Sequence, residues 1–140
     1  MPINTVNDVI LRSAPSFLDP QGMLVAYNGK LDFSIDFQRI FIVKGHANSL
    51  RGKHAHINLT QILVCVQGAC RVICDDGSER REFVLDQVNR ALVVPNGIWA
   101  EQFYVEEDTI LVVLCDLPYD ESDYIRDYEA YLVFRKRGMA

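Results

Sequence analysis

The chain has 140 residues, 49% hydrophobic and 24% charged, a balance that suits one folded domain with its own core and excludes both a disordered chain and a pair of domains. Fourteen lysines and arginines against nineteen acidic residues leave a net charge of −5. The basic residues are scattered apart from Arg80-Arg81 and Arg135-Lys136-Arg137, which argues against nucleic acid as a partner.

The first twenty residues lack a basic start followed by an apolar run, and no segment approaches the roughly 20 apolar residues of a membrane span, so a cytoplasmic protein with no membrane partner is expected. Short apolar runs then recur between turn signals, at 23–26, 33–37, 39–43, 61–66, 70–74, 81–85, 91–94 and 109–114. Eight short strands in about a hundred residues indicate an antiparallel sandwich or barrel. Asp75-Asp76-Gly77-Ser78 has the composition of a hairpin turn, and Pro95-Asn96-Gly97 reads the same way. The four cysteines, at 65, 70, 74 and 115, show no C-x-x-C spacing and are expected to be small buried hydrophobes. After Pro118 tyrosines recur at steps near three and four, which predicts a helical tail over 119–137, capped by Asp120 or Ser122 and basic toward its end.

The chemistry concentrates between these elements. His54-Ala55-His56, Gln61 and Gly68 have the spacing of a cupin metal site, H-x-H, then Glu, then Gly, but Gln61 replaces the carboxylate. The second half of that pattern, P-x-G-x-x-H, reads Pro95-Asn96-Gly97-Ile98-Trp99-Ala100, so the last histidine is also missing. Metal sites of this kind need three or four ligands and normally a carboxylate among them; Glu101 can replace it only if a bulge turns it inward. No metal or other cofactor is therefore expected. Residues two apart on a strand share a face, so His54 and His56 enter one pocket, where imidazoles that titrate near neutrality suit proton transfer. The turn strand brings in Trp99 or Ala100 depending on register, and Trp99 reads either as a core anchor or as a pocket wall for a sugar ring or base. Arg51 and Arg39 are candidate phosphate partners.

Arg51-Gly52-Lys53-His54-Ala55-His56, Gln61 to Cys65, Asp75-Asp76-Gly77, Val94-Pro95 through Trp99-Ala100-Glu101, and Tyr119-Asp120-Glu121-Ser122-Asp123-Tyr124-Ile125-Arg126 together resemble the nucleotide-sugar 3,4-ketoisomerases. The resemblance spans roughly residues 20 to 131 and implies an all-β cupin jelly roll with a short C-terminal helix, a single domain over 1–140. It implies a cofactor-independent isomerase acting on dTDP-4-keto-6-deoxy-D-glucose, and a homodimer with exchanged N-terminal strands. The implied setting is 3-amino-3,6-dideoxy sugar synthesis for surface glycans such as O-antigen lipopolysaccharide. His54 and His56 match the family's histidine pair, with the base among them. Arg51 matches its R-G arginine near the phosphates; Gln61, Trp99, Arg39 and Glu101 complete the expected substrate contacts. The chain departs from its relatives at Ile40-Phe41-Ile42, where two tyrosines are common, and at Ala100, where His or Arg is common. The absent donor at Ala100 favours a galacto product. Alternatives are a dTDP-sugar 3,5-epimerase, a non-catalytic sugar-nucleotide-binding cupin and a metal-dependent dioxygenase.

Overall fold

The computed structural model describes residues 3–139. In chain order the strands are β1 (Ile10–Ser13), β2 (Ser16–Asp19), β3 (Gly22–Val25), β4 (Arg39–Gly45), β5 (Ser49–His56), β6 (Gln61–Gln67), β7 (Cys70–Asp75), β8 (Arg80–Leu85), β9 (Arg90–Val94), β10 (Trp99–Tyr104), β11 (Thr109–Cys115) and β12 (Tyr124–Ile125), followed by helix α1 (Tyr128–Met139). Two five-stranded antiparallel sheets, ordered β1-β9-β6-β11-β4 and β12-β5-β10-β7-β8, face each other, and β2 and β3 form a separate hairpin. This is the expected jelly-roll sandwich.

Alternation explains which residues meet between the sheets. On β11, Leu111, Val113 and Cys115 are fully buried in a core that also holds Leu63, Val72, Leu85, Leu92 and Tyr104. β6 is buried on both faces from Gln61 to Cys65, because Ile62 and Val64 turn outward beneath Phe33, Tyr27 and Phe37. That double cover is why its sequence is continuously apolar and not alternating. All four cysteines are buried and free, and burial pushes the Cys70 and Cys74 thiols up to about 12.

The loop glycine of the cupin spacing has a steric reason. Gly68 joins β6 of one sheet to β7 of the other at φ +77, and a Cβ there would lie 2.5 Å from Thr109 Oγ1. Asp75-Asp76-Gly77-Ser78 is a hairpin turn between β7 and β8, with Asp76 Oδ1 accepting from the Ser78 and Glu79 amides. Pro95-Asn96-Gly97 is a turn but not a hairpin, since β9 and β10 lie in different sheets.

Two expectations are corrected. Residues 33–37 form no strand: a π-helical turn covers Gly29–Phe33 and ends at Ser34 in the left-handed region, with Asp32 accepting from the Asn28 amides. Local side-chain bonding outcompetes the sheet there. The helical tail begins at Tyr128, not at residue 119. Asp120 caps a 3₁₀ turn at Glu121–Asp123 instead, and Tyr124–Ile125 pairs with His56 and Ala55 of β5.

Candidate active site

β5 supplies the two imidazoles and a bulge beside them. In its pairing with β10, Ala100 faces His54 but Glu101 faces Gly52, so Lys53 is an extra residue. Gly52 and Lys53 both lie in the left-handed region, at φ 84 and 57. This resets the alternation. His56, His54 and then Arg51 all take the inward phase, with Arg51 directly opposite the cleft residue Gln102. Cross-strand partners share a face.

His54, His56, Gln61, Ala100 and Gln102 line one cleft, closed at its sides by Leu59, Val94, Pro95 and Ile98, with an empty space of about 270 Å³ including its open mouth. The His54 and His56 rings meet edge to face with centroids 5.0 Å apart, and Tyr124 packs on both, at 5.0 and 4.3 Å. Arg126 stacks over the Tyr124 ring at 4.2 Å and is held by Glu121 through bonds of 2.8 and 2.9 Å.

The hydrogen bonds assign the tautomers. His54 Nδ1 lies 3.0 Å from the Gly52 carbonyl oxygen. A carbonyl only accepts, so Nδ1 carries the proton and Nε2 keeps its lone pair. His56 Nε2 lies 2.6 Å from Gln61 Nε2, and its Nδ1 lies 3.4 Å from Asp123 Oδ2. Burial lowers the pKa of both rings, His56 to about 4, with the His54 charge as the next contribution. Both rings are therefore neutral at pH 7 and able to accept protons.

The remaining expected contacts divide. Arg39 lies on the inward phase of β4: it faces Cys115, which faces Gln61 on the other side, placing Arg39 two strands, about 10 Å, from Gln61. Its guanidinium sits over the Phe41 and Tyr119 rings at 4.7 and 5.1 Å, and its buried Nη1 has no protein partner. Arg39 and Arg51 thus flank the cleft on different walls. Trp99 and Glu101 do not belong to it. They alternate with Ala100 and face the other way, where Trp99 packs with Ala55, Tyr128 and Tyr131 and donates to Glu101 Oε2 at 2.9 Å, a carboxylate that also holds Arg80. The bulge lies in β5 and leaves the alternation of β10 intact, so it cannot turn Glu101 inward.

Asp123 and Tyr124 touch the histidines and Arg126 stacks on Tyr124, although sequence reasoning placed all three on a helix. The tyrosine spacing concealed the short strand β12. A further surprise is the role of α1: Tyr131 and Arg135 both donate to the Gly97 carbonyl, at 2.7 and 3.1 Å, while the Gly97 amide donates to the His56 carbonyl at 2.7 Å. The helix pins the turn that pins the histidine strand.

Comparison with known proteins identifies relatives of the whole chain. The family model described as FdtA: WxcM-like, C-terminal, matches residues 7–136. A TDP-4-oxo-6-deoxy-alpha-D-glucose-3,4-oxoisomerase of Aneurinibacillus thermoaerophilus is 37% identical over 115 residues, 81% of this chain and 83% of that protein. The solved structure of QdtA, a sugar 3,4-ketoisomerase from Thermoanaerobacterium thermosaccharolyticum in complex with TDP, superposes with a TM-score of 0.90 at 29% identity, covering 95% of this chain and 98% of QdtA. An rmlC epimerase of Mycobacterium tuberculosis is more distant, with a TM-score of 0.77 at 18% identity over 88% of this chain and 70% of its own, and shares the fold alone. The fold and cleft define a cupin isomerase. The chain belongs to the FdtA/WxcM-like family, whose relatives are TDP-sugar 3,4-ketoisomerases.

Proposed function

We propose that the protein converts dTDP-4-keto-6-deoxy-D-glucose to dTDP-3-keto-6-deoxy-D-galactose, as a single-domain enzyme over residues 1–140 that needs no cofactor. The observation that carries this reading is the His54 ring, protonated on Nδ1 by its bond to Gly52 and lining the cleft with a free lone pair on Nε2. The C4 ketone acidifies the C3 proton. His54 Nε2 removes it, giving an enediolate whose oxyanion accepts a hydrogen bond from the Gln61 amide. The proton is returned at C4, while the hydroxyl proton on O3 passes to O4, so that C3 ends as the ketone and C4 as the carbinol. Arg51 and Arg39 hold the diphosphate oxygens through their guanidinium donors.

In the galacto product the hydrogens at C3 and C4 lie on one ring face, so a single base serves both steps. Ala100, opposite His54, offers no donor that would serve the other face. Incubation with the substrate in D₂O, followed by proton NMR, is expected to place deuterium at C4 beside a new C3 ketone, and the product formed in H₂O is expected to show the small H4–H5 coupling of the galacto configuration. A gluco coupling would reject the stereochemical part, and exchange at C5 would make the protein a 3,5-epimerase. Binding without exchange would make it a non-catalytic cupin.

The protein acts as a homodimer in this reading. β1 pairs with β9 of its own chain, but hairpin β2–β3 forms a separate two-stranded sheet among the described residues and exposes Phe17, Leu18 and Leu24, while Ile40 and Ile42 expose an apolar outer face on β4. Exposed apolar side chains on the hairpin and on the β4 face support an interface there. Light scattering is expected to give twice the chain mass for the wild type and one chain mass for Ile42→Asp; a monomeric wild type at micromolar concentration contradicts the dimer.

A further inference from the structure

We infer that Asp123 is the positioning residue of His56, fixing the imidazole tautomer that in turn fixes which end of the Gln61 amide faces the ring. The inference rests on the ketoisomerase reading of the cleft for its functional consequence, though not for its structural content.

Asp123 has an evident local task. Its Oδ1 accepts from the Asn58 amide at 2.8 Å and its Oδ2 from the Leu59 amide at 3.1 Å, which shapes the loop between β5 and β6. That task leaves a second feature unexplained. Asp123 and His56 are both more than nine-tenths buried, at 8% and 6% exposure, and Oδ2 faces His56 Nδ1 at 3.4 Å. His56 Nδ1 is buried and makes no well-aligned hydrogen bond. A lone pair on that nitrogen would oppose the carboxylate, and a proton on it points at the acceptor that a small ring rotation brings into bonding range.

The polarity then propagates. With the proton on Nδ1, Nε2 of the neutral ring is an acceptor, and the contact of 2.6 Å to Gln61 must be an amide N–H donating to it. The reverse amide orientation would set two acceptors against each other. Asp123, His56 and Gln61 thus form one directed chain across three elements, and the second N–H of Gln61 is left for an oxygen in the cleft. This explains why a glutamine suits a position where a carboxylate would demand the opposite polarity: a glutamate in its place would accept from Nε2–H and favour a doubly protonated, charged ring between two carboxylates.

The groups around the ring are few. His54 lies on its own strand, Asp123 and Tyr124 come from the segment before α1, and Arg126 with its partner Glu121 sits beyond Tyr124. β6 and β10 contribute the neutral Gln61 and Ala100. Asp123 is the acidic group that faces the ring directly.

The test is long-range ¹⁵N NMR of the imidazoles in the substrate-free protein. Wild-type His56 is expected as the Nδ1–H tautomer at neutral pH, and Asp123→Asn is expected to move it toward Nε2–H and to lower kcat about 10- to 100-fold, the range typical for partners that orient functional histidines, with KM little changed. Gln61→Glu is expected to raise the His56 titration toward neutrality, and it decides the matter together with the wild-type spectrum if Asp123→Asn does not fold. A wild-type Nε2–H tautomer overturns the inference whether or not the protein isomerises sugars. An Asp123→Asn protein with unchanged tautomer and kcat overturns it too. Absent isomerase activity beside the expected tautomers rejects only the reading of the substrate.

Discussion

His54→Asn is expected to slow exchange of the substrate C3 proton with deuterated solvent by about 10²- to 10⁴-fold, the usual contribution of a positioned base. Asparagine keeps much of the ring's size and can still donate toward Gly52, so substrate affinity and melting temperature should change little. His56→Asn should cost less, because that ring acts through Gln61 and does not take the proton itself. Exchange at the wild-type rate in His54→Asn would remove the base from this residue. The pH profile offers an independent check. Burial lowers the His54 pKa below its ordinary 6.5, and only the neutral ring can accept a proton. Activity should therefore be flat on the basic side of neutrality and fall tenfold per pH unit once the pH drops below the His54 pKa. Folding stability has the same sign. His56 is lowered from 6.5 to about 4, so between those values the unfolded chain binds more protons and stability declines as the pH falls.

Trp99→Ala is expected to lower the unfolding free energy by about 3–5 kcal/mol, as removal of a buried large aromatic does. Against a typical total of roughly 5–15 kcal/mol, this leaves a marginal protein. The indole is 3% exposed, with its ring centroid 5.2 Å from that of Tyr128 and 5.6 Å from that of Tyr131. Its loss should loosen α1 first and then the Gly97 turn that the helix holds. Urea titration measures the stability, and assays of the folded fraction should return an unchanged KM. A raised KM with undiminished stability would return the indole to the pocket wall. Trp99→Phe should recover most of the loss.

Much of this architecture is legible from alternation and turn chemistry. The strands from β6 to β9 and β11, the hairpin at Asp75–Ser78 and the convergence of His54, His56 and Gln61 all follow from period-two patterns and from spacing. Four features resist such reading for identifiable reasons. Trp99 and Glu101 differ from Ala100 by one position, and a single-residue register decision sends a strand's side chains to opposite faces. Residues 33–37 look like a strand because Phe33, Ile35 and Phe37 alternate as apolar residues, yet they pack over the outer face of β6 from irregular backbone. Tyr124 follows a helical spacing with Tyr128 and Tyr131 by coincidence, and a two-residue strand has too few positions to display any period. The partnership of Asp123 with His56 spans 67 residues and rests on tertiary placement alone.

The bulge at Gly52–Lys53 carries a lesson for altering this enzyme. β5 contains two phases joined at one surplus residue: before it, Ser49 and Arg51 take the cleft side of the sheet, and after it, His54 and His56 do. Removing Lys53 would merge the phases, so the strand could keep its arginine or its histidines inside, but not both. Recombining such chains should therefore cut outside 49–56, since a crossover between relatives that differ by one residue within this stretch would invert half of its chemistry while leaving composition and strand length almost untouched.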